Sequence, residues 1–242
     1  YGQPVKIDEI KKIAKKHNLV FIEDCAQAAG ARYKGKYVGS FGDISCFSLY
    51  QTKHITSGEG GVVMTSNDKF AKIISSIANN GIMKDDLDAY DYDRIGYNYQ
   101  LTEIQGALAI GQLKKLDKNN RKRQKNVELF KKLLGDLDIT FQSADNDSEN
   151  VYFYLTGLLP KSLSSKRDKF IQNVKQLNVP IKKLYPMGLN EITLLRDKYP
   201  QDCPISQNIT KRIFNLYVNP GLDKADIIFM ANAIRQAYKK IQ

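Results

Sequence analysis

Ile7, Ile10 and Ile13, with Ala14, fall at helical spacing between charged positions, so residues 7–17 are predicted to form an amphipathic helix. Asp8 and Glu9 stand at the favourable positive end of its dipole. The period then changes. Leu19, Val20, Phe21 and Ile22 form an unbroken apolar run of strand-like composition that stops at Glu23 and Asp24. A helix feeding a buried strand predicts a parallel α/β sheet, and in such sheets ligands gather at the carboxyl ends of strands. Asp24 occupies that place. From Tyr33 to Ser45, Gly35, Gly39 and Gly42 break the pattern into turns and short extended pieces. A second strand run, Ile44 to Tyr50, leads to Lys53, and Gly58, Gly60 and Gly61 precede a third, Val62 to Thr65. Two strands therefore bracket a glycine-rich turn that carries a lysine.

Helices are predicted at 67–79, 101–116 and 117–134, the last with Val127, Phe130 and Leu134 on one stripe. Beyond them the pattern predicts a strand from Val151 to Leu158, a helix from Lys166 to Leu177 and a short strand from Val179 to Lys182. Asp223 is a predicted N-cap for a terminal helix running to Ile241. Composition shifts towards Lys and Asn in the middle of the chain. A boundary is expected near residue 116, between a parallel-sheet portion (1–116) and a smaller α+β portion (117–242).

With 242 residues, 42% of them hydrophobic, the chain has enough apolar content for one large domain or two small ones. No apolar run is long enough to span a bilayer and no apolar segment follows a basic leader, so a cytoplasmic protein without a membrane segment is expected. Cys25, Cys46 and Cys203 are odd in number and lack metal-type spacing, which argues against a disulfide framework and against a zinc site. The excess of 37 Lys+Arg over 26 Asp+Glu, a net +11, favours an anionic partner: a phosphorylated metabolite, a nucleotide sugar or nucleic acid. Part of that excess, Lys114, Lys115, Lys118, Arg121, Lys122, Arg123 and Lys125, lies in predicted helix. No aromatic or glycine residues interleave it, so it reads as a solvated face rather than a nucleic-acid platform.

The candidate chemistry sits around Lys53. A lysine that holds a cofactor covalently must be kept close to it, and a loop between strands of a rigid sheet does this. Pyridoxal phosphate also needs a carboxylate at its ring nitrogen, which Asp24 can supply. Ser48, five residues before the lysine, can donate to a phosphate oxygen; Gln27, three residues after Asp24, can bond the ring's phenolic oxygen if a helical turn begins there. Singly, each has a plainer reading: a surface lysine, a helix-capping aspartate, a serine bonded to backbone, a solvated glutamine.

Together they match a pattern. Glu23-Asp24-Cys25-Ala26-Gln27-Ala28, Gly39-Ser40-Phe41-Gly42-Asp43, Phe47-Ser48-Leu49-Tyr50-Gln51-Thr52-Lys53 and Gly58-Glu59-Gly60-Gly61 resemble the DegT/DnrJ/StrS family of nucleotide-sugar aminotransferases. The likeness continues through Gly96-Tyr97-Asn98-Tyr99-Gln100-Leu101 and Cys203-Pro204-Ile205-Ser206. The resemblance implies part of a fold-type I, aspartate aminotransferase-like α/β fold, with a mostly parallel sheet and a small C-terminal α+β domain. It also implies a homodimer that uses pyridoxal 5'-phosphate to move an amino group, from glutamate, to a keto sugar on a nucleotide carrier. By the same likeness Lys53 is the Schiff-base lysine and proton shuttle, Asp24 pairs with the pyridine nitrogen, Gln27 contacts the ring side and Ser48 the phosphate. Asn98 matches an asparagine that reaches the phosphate of the neighbouring subunit's cofactor.

Some positions depart from the family pattern. His54 stands where asparagine is common, Gln100 where arginine is frequent, and Gly188-Leu189-Asn190 where Pro-Leu-His is frequent near the sugar site. Related sugar dehydratases replace the lysine itself by histidine; retention of Lys53 favours transamination. Family members also begin with on the order of a hundred residues more. Without those strands the expectation is an unpaired sheet edge, exposed apolar surface and weak or absent cofactor binding by the chain alone. A sugar dehydratase, a basic nucleic-acid-binding or regulatory protein and a non-catalytic dimerisation partner are the rival readings.

Overall fold

A computed structural model describes residues 1–84, 90–92 and 94–242. In chain order its elements are α1 (Ile7–Lys16), β1 (Ile22–Asp24), β2 (Arg32–Tyr33), β3 (Lys36–Tyr37), β4 (Ile44–Ser48), β5 (Gly61–Met64), α2 (Asp68–Ala78), β6 (Ile82–Lys84), β7 (Tyr90–Tyr92) and α3 (Glu103–Leu113). They continue as α4 (Leu116–Leu134), β8 (Thr140–Phe141), β9 (Ser148–Glu149), β10 (Leu155–Leu158), α5 (Arg167–Gln176), β11 (Ile181–Lys182), α6 (Thr193–Arg196), α7 (Pro204–Thr210), β12 (Ile213–Leu216) and α8 (Lys224–Lys239). Two compact units result. One comprises Gly2–Asn120 with Ala144–Val151, the other Tyr1, Arg121–Ser143 and Tyr152–Gln242.

The first unit is built on a sheet in the order β1-β4-β5. β1 and β4 are parallel, whereas β4 and β5, joined by the lysine-bearing loop, are antiparallel. The ladder sets the bounds of β1: Ile22, Glu23 and Asp24 pair with Ile44, Ser45 and Cys46. Leu19 and Val20, expected within this strand, precede it and stay exposed, while Glu23 and Asp24, expected to end it, belong to it. Among the described residues neither β1 nor β5 has a second strand neighbour. A groove of about 640 Å³ opens beside β1, lined by Ile10 and Ile13 of α1 and by Leu19, Val20 and Ile22. The unit's small core gathers Ile7, Cys25, Ala31, Tyr33, Val38 and Val151. Segment 144–151 joins this unit through β9, which pairs with β2.

The second unit has an antiparallel sheet, β11-β12-β10-β8, whose core includes Phe130, Leu155, Phe170, Phe214, Leu216 and Ile234. Val127, Phe130 and Leu134 are buried, as their stripe predicts. The strand expected over Val151–Leu158 shrinks to β10, since Tyr152 adopts a positive φ of 50° that breaks the extended run. Asp223 caps α8, accepting from the Asp226 amide at 2.9 Å. Of the basic run, Lys114, Lys115, Lys118, Arg121, Lys122 and Lys125 are exposed; Arg123 turns inward, and burial lowers its pKa to about 10. No helix among the described residues is long and apolar enough to cross a membrane.

Candidate active site

The turn that carries Lys53 is closed at its neck by backbone. Leu49 N donates to Gly60 O at 2.9 Å and Ser57 N donates to Leu49 O at 3.0 Å. The Thr56 hydroxyl donates to the same Leu49 carbonyl at 3.2 Å and accepts from Gly58 N at 3.0 Å. Gly60 adopts φ +127°, and a Cβ there would stand 2.6 Å from Leu101 Cδ1, so the position suits only glycine. Gln105 of α3 donates to Glu59 O at 3.2 Å and ties the start of that helix to the turn.

Strand register brings the polar groups together. Asp24 pairs with Cys46 in the parallel ladder, and Ser48 lies two residues further along β4, so both side chains stand on one face of the sheet. Asp24 Oδ1 accepts from Ala26 N at 3.0 Å, and Ser48 Oγ accepts from Tyr50 N at 3.3 Å. Ser48 pairs with Gly61 on β5, a residue with no side chain to crowd it. Lys53 is half-buried. Burial holds its amine below the ordinary lysine value, and the Asp24 carboxylate pulls it back upward, so the two groups share one field.

Gln27 stands on a turn directly after β1. No helix begins there: Ala28 N bonds Cys25 O and Ala31 N bonds Ala28 O, each at 2.9 Å, and Gly30 at φ +84° ends the sequence of turns. Asn98 is exposed on the segment leading to α3, where its backbone pairs with Asn79.

Two residues beside this group were given no bonding role from the sequence. Glu23 is 8% exposed and accepts three backbone amides: Gly39 N at 2.8 Å, Phe41 N at 2.7 Å and Gly42 N at 2.7 Å. Asp43 closes the same loop from the other end, accepting Phe21 N at 2.8 Å. A Cβ on Gly42 would come within 2.7 Å of Phe21 O, which explains the glycine. The second residue is His54, 5% exposed, whose Nε2 lies 3.1 Å from Val151 O. A carbonyl oxygen only accepts, so this nitrogen carries the proton. Cys25 is buried. Burial first, then Glu23, Asp24 and Cys46, push its thiol up to about 12.

A model of the DegT/DnrJ/EryC1/StrS aminotransferase family matches residues 1–235. The chain belongs to this family. It is 31% identical over 240 residues to a GDP-perosamine synthase of Escherichia coli, covering 98% of this chain and 64% of that protein. Over 131 residues it is 43% identical to a UDP-4-amino-4,6-dideoxy-N-acetyl-beta-L-altrosamine transaminase of Campylobacter jejuni, covering 54% of this chain and 35% of that protein. Among solved structures, Helicobacter pylori PseC, an aminotransferase involved in the biosynthesis of pseudoaminic acid, superposes with a TM-score of 0.93 at 22% identity. That alignment covers 98% of this chain and 64% of the other. The chain thus has the fold-type I architecture of the DegT/DnrJ/EryC1/StrS family and spans just under two thirds of the length of these relatives.

Proposed function

We propose that this chain is the lysine-bearing part of a pyridoxal-phosphate-dependent enzyme that transfers an amino group from an amino acid, glutamate first, to a keto sugar on a nucleotide. The observation that carries this reading is the convergence of Asp24 and Ser48 on one sheet face with a half-buried Lys53 that shares the field of Asp24. That donor set fits the cofactor: a carboxylate for the ring nitrogen, a hydroxyl for the phosphate and a desolvated amine for the aldehyde carbon. When bound, pyridoxal phosphate supplies the electron sink that stabilises negative charge beside the transferred nitrogen. Asp24 keeps a proton at the ring nitrogen. Ser48 would donate to the phosphate; the ring-side contact of Gln27 rests on the family likeness alone. Lys53 Nζ, its basicity reduced by burial, accepts and returns the proton at the reacting carbon.

The names of the relatives support the substrate class, since both are enzymes of amino-sugar nucleotides. The net charge of +11 suits a substrate carrying phosphates. In a homodimer, Asn98 would reach the partner's cofactor phosphate, a role that rests on the family likeness. Residues 1–116 then correspond to the later part of the large cofactor domain, and 117–242 to the small domain. A dehydratase would need histidine in the place of Lys53. The one histidine beside it, His54, is buried and its Nε2 proton is committed to Val151 O, so it is not poised to take that place.

The test uses the chain joined to the N-terminal third of a relative, loaded with pyridoxal phosphate and given glutamate. Stoichiometric release of 2-oxoglutarate, with conversion of the bound aldehyde to its amine, is the expected result. Dehydration of a keto sugar without 2-oxoglutarate would replace transamination by the dehydratase reading.

A further inference from the structure

Lys53 and His54 are neighbours in sequence with opposite fates: the lysine remains half-exposed while the histidine is 5% exposed. The neck of the turn is held by the Leu49 and Gly60 pairing, but its tip is held differently. There the backbone supplies Lys53 N to Tyr50 O at 2.9 Å, and the side chain of His54 supplies the bond to Val151 O at 3.1 Å. Val151 is a firm anchor. It is 1% exposed, its own amide donates to Gly2 O at 3.1 Å, and the preceding β9 is paired with β2.

We propose that His54 is a positioning residue: by bonding Val151 it pins the tip of the turn and holds the Lys53 amine half-buried beside Asp24, without itself touching cofactor or substrate. This inference rests on the reading of Lys53 as the cofactor-holding lysine. A buried residue that served only to fill space would be met by an aliphatic side chain, whereas this one bonds the buried Val151 carbonyl, a fixed point outside the turn. A reactive amine needs its supporting groups to fix it within about 0.5 Å, and the residue next to it in the chain is the shortest route to that control. The lowered basicity of Lys53 agrees with such a tether, since its cause is burial of the amine.

The experiment reads the Lys53 amine in the chain as it stands, by competitive acetylation across a pH series with peptide mapping, so no cofactor is required. The parent is expected to titrate below the free lysine value of about 10.4. In His54→Leu the midpoint should rise towards that value. In His54→Gln, whose amide nitrogen lies about as far from Cα as Nε2 does, it should stay with the parent. If the leucine variant does not fold, His54→Asn, whose N–H is too short to reach Val151, replaces it with the same expectation. An unmoved Lys53 midpoint in the folded leucine or asparagine variant overturns the inference, and so does a folded glutamine variant that behaves like leucine. The cofactor reading is judged separately by borohydride labelling of the extended, loaded parent. Label on Lys53 with identical titrations in all variants sinks only the positioning role; label absent from Lys53 sinks the cofactor reading and leaves the titrations to decide the tether.

Discussion

Lys53 is held where its charge is disfavoured, and this has a measurable sign. Its folded pKa lies below the free value because of burial, so the charged amine destabilises the folded state at pH values below the folded pKa. The effect fades as pH rises through the folded value to the unfolded one. Lys53→Met is therefore expected to be more stable than the parent to urea at about pH 7 and equal to it near pH 11. A less stable variant at neutral pH would contradict the assigned environment. Glu23 is the opposite case, a buried carboxylate satisfied by three amides. Glu23→Gln should cost roughly 2–3 kcal/mol in urea unfolding, because the charge-assisted acceptor is lost while the amides stay buried. Lys53, Asp24 and Ser48 could be proposed from the sequence because their side chains form the motif. The bonding roles of Glu23 and His54 could not, because their partners are backbone groups that no side-chain pattern displays.

Helix and strand identities followed from periodicity, whereas their limits were set by partners that lie far away in sequence. β1 begins at Ile22 because β4 pairs with it from there, and β10 begins at Leu155, where it pairs with Leu216 of β12 after the reversed backbone at Tyr152. The helix expected over 101–116 resolves into α3, starting after Thr102, whose hydroxyl accepts the Gln105 amide at 3.3 Å in a capping box. α3 buries none of its residues and exposes Ile104, Leu108, Ile110 and Leu113, so its cap matters more than packing to its start. Thr102→Ala should destabilise the first unit by about 1 kcal/mol, read as earlier hydrogen exchange at the N-terminus of α3. Unchanged exchange there would mean that the contact of Gln105 with Glu59 O alone holds the helix start.

At the scale of the whole molecule, the open sheet edge and apolar surface that were expected are present: β1 and β5 lack second neighbours among the described residues, with Ile22, Val62, Val63 and Met64 exposed on them. The junction of segment 144–151 with the first unit was not legible, because two-residue β9 carries no periodicity. A sheet with two open edges and an apolar groove should bind a hydrophobic dye and hold cofactor poorly. Added pyridoxal phosphate is accordingly expected to leave the Tm of this chain unmoved and to raise that of the chain joined to a relative's N-terminal third. The most direct test of the central claim is to incubate both proteins with pyridoxal phosphate, reduce them with borohydride and map the labelled peptide. The account predicts label confined to Lys53 in the extended protein and weak or absent label in the short chain; label spread over surface lysines, or absent from Lys53 in both, would contradict it.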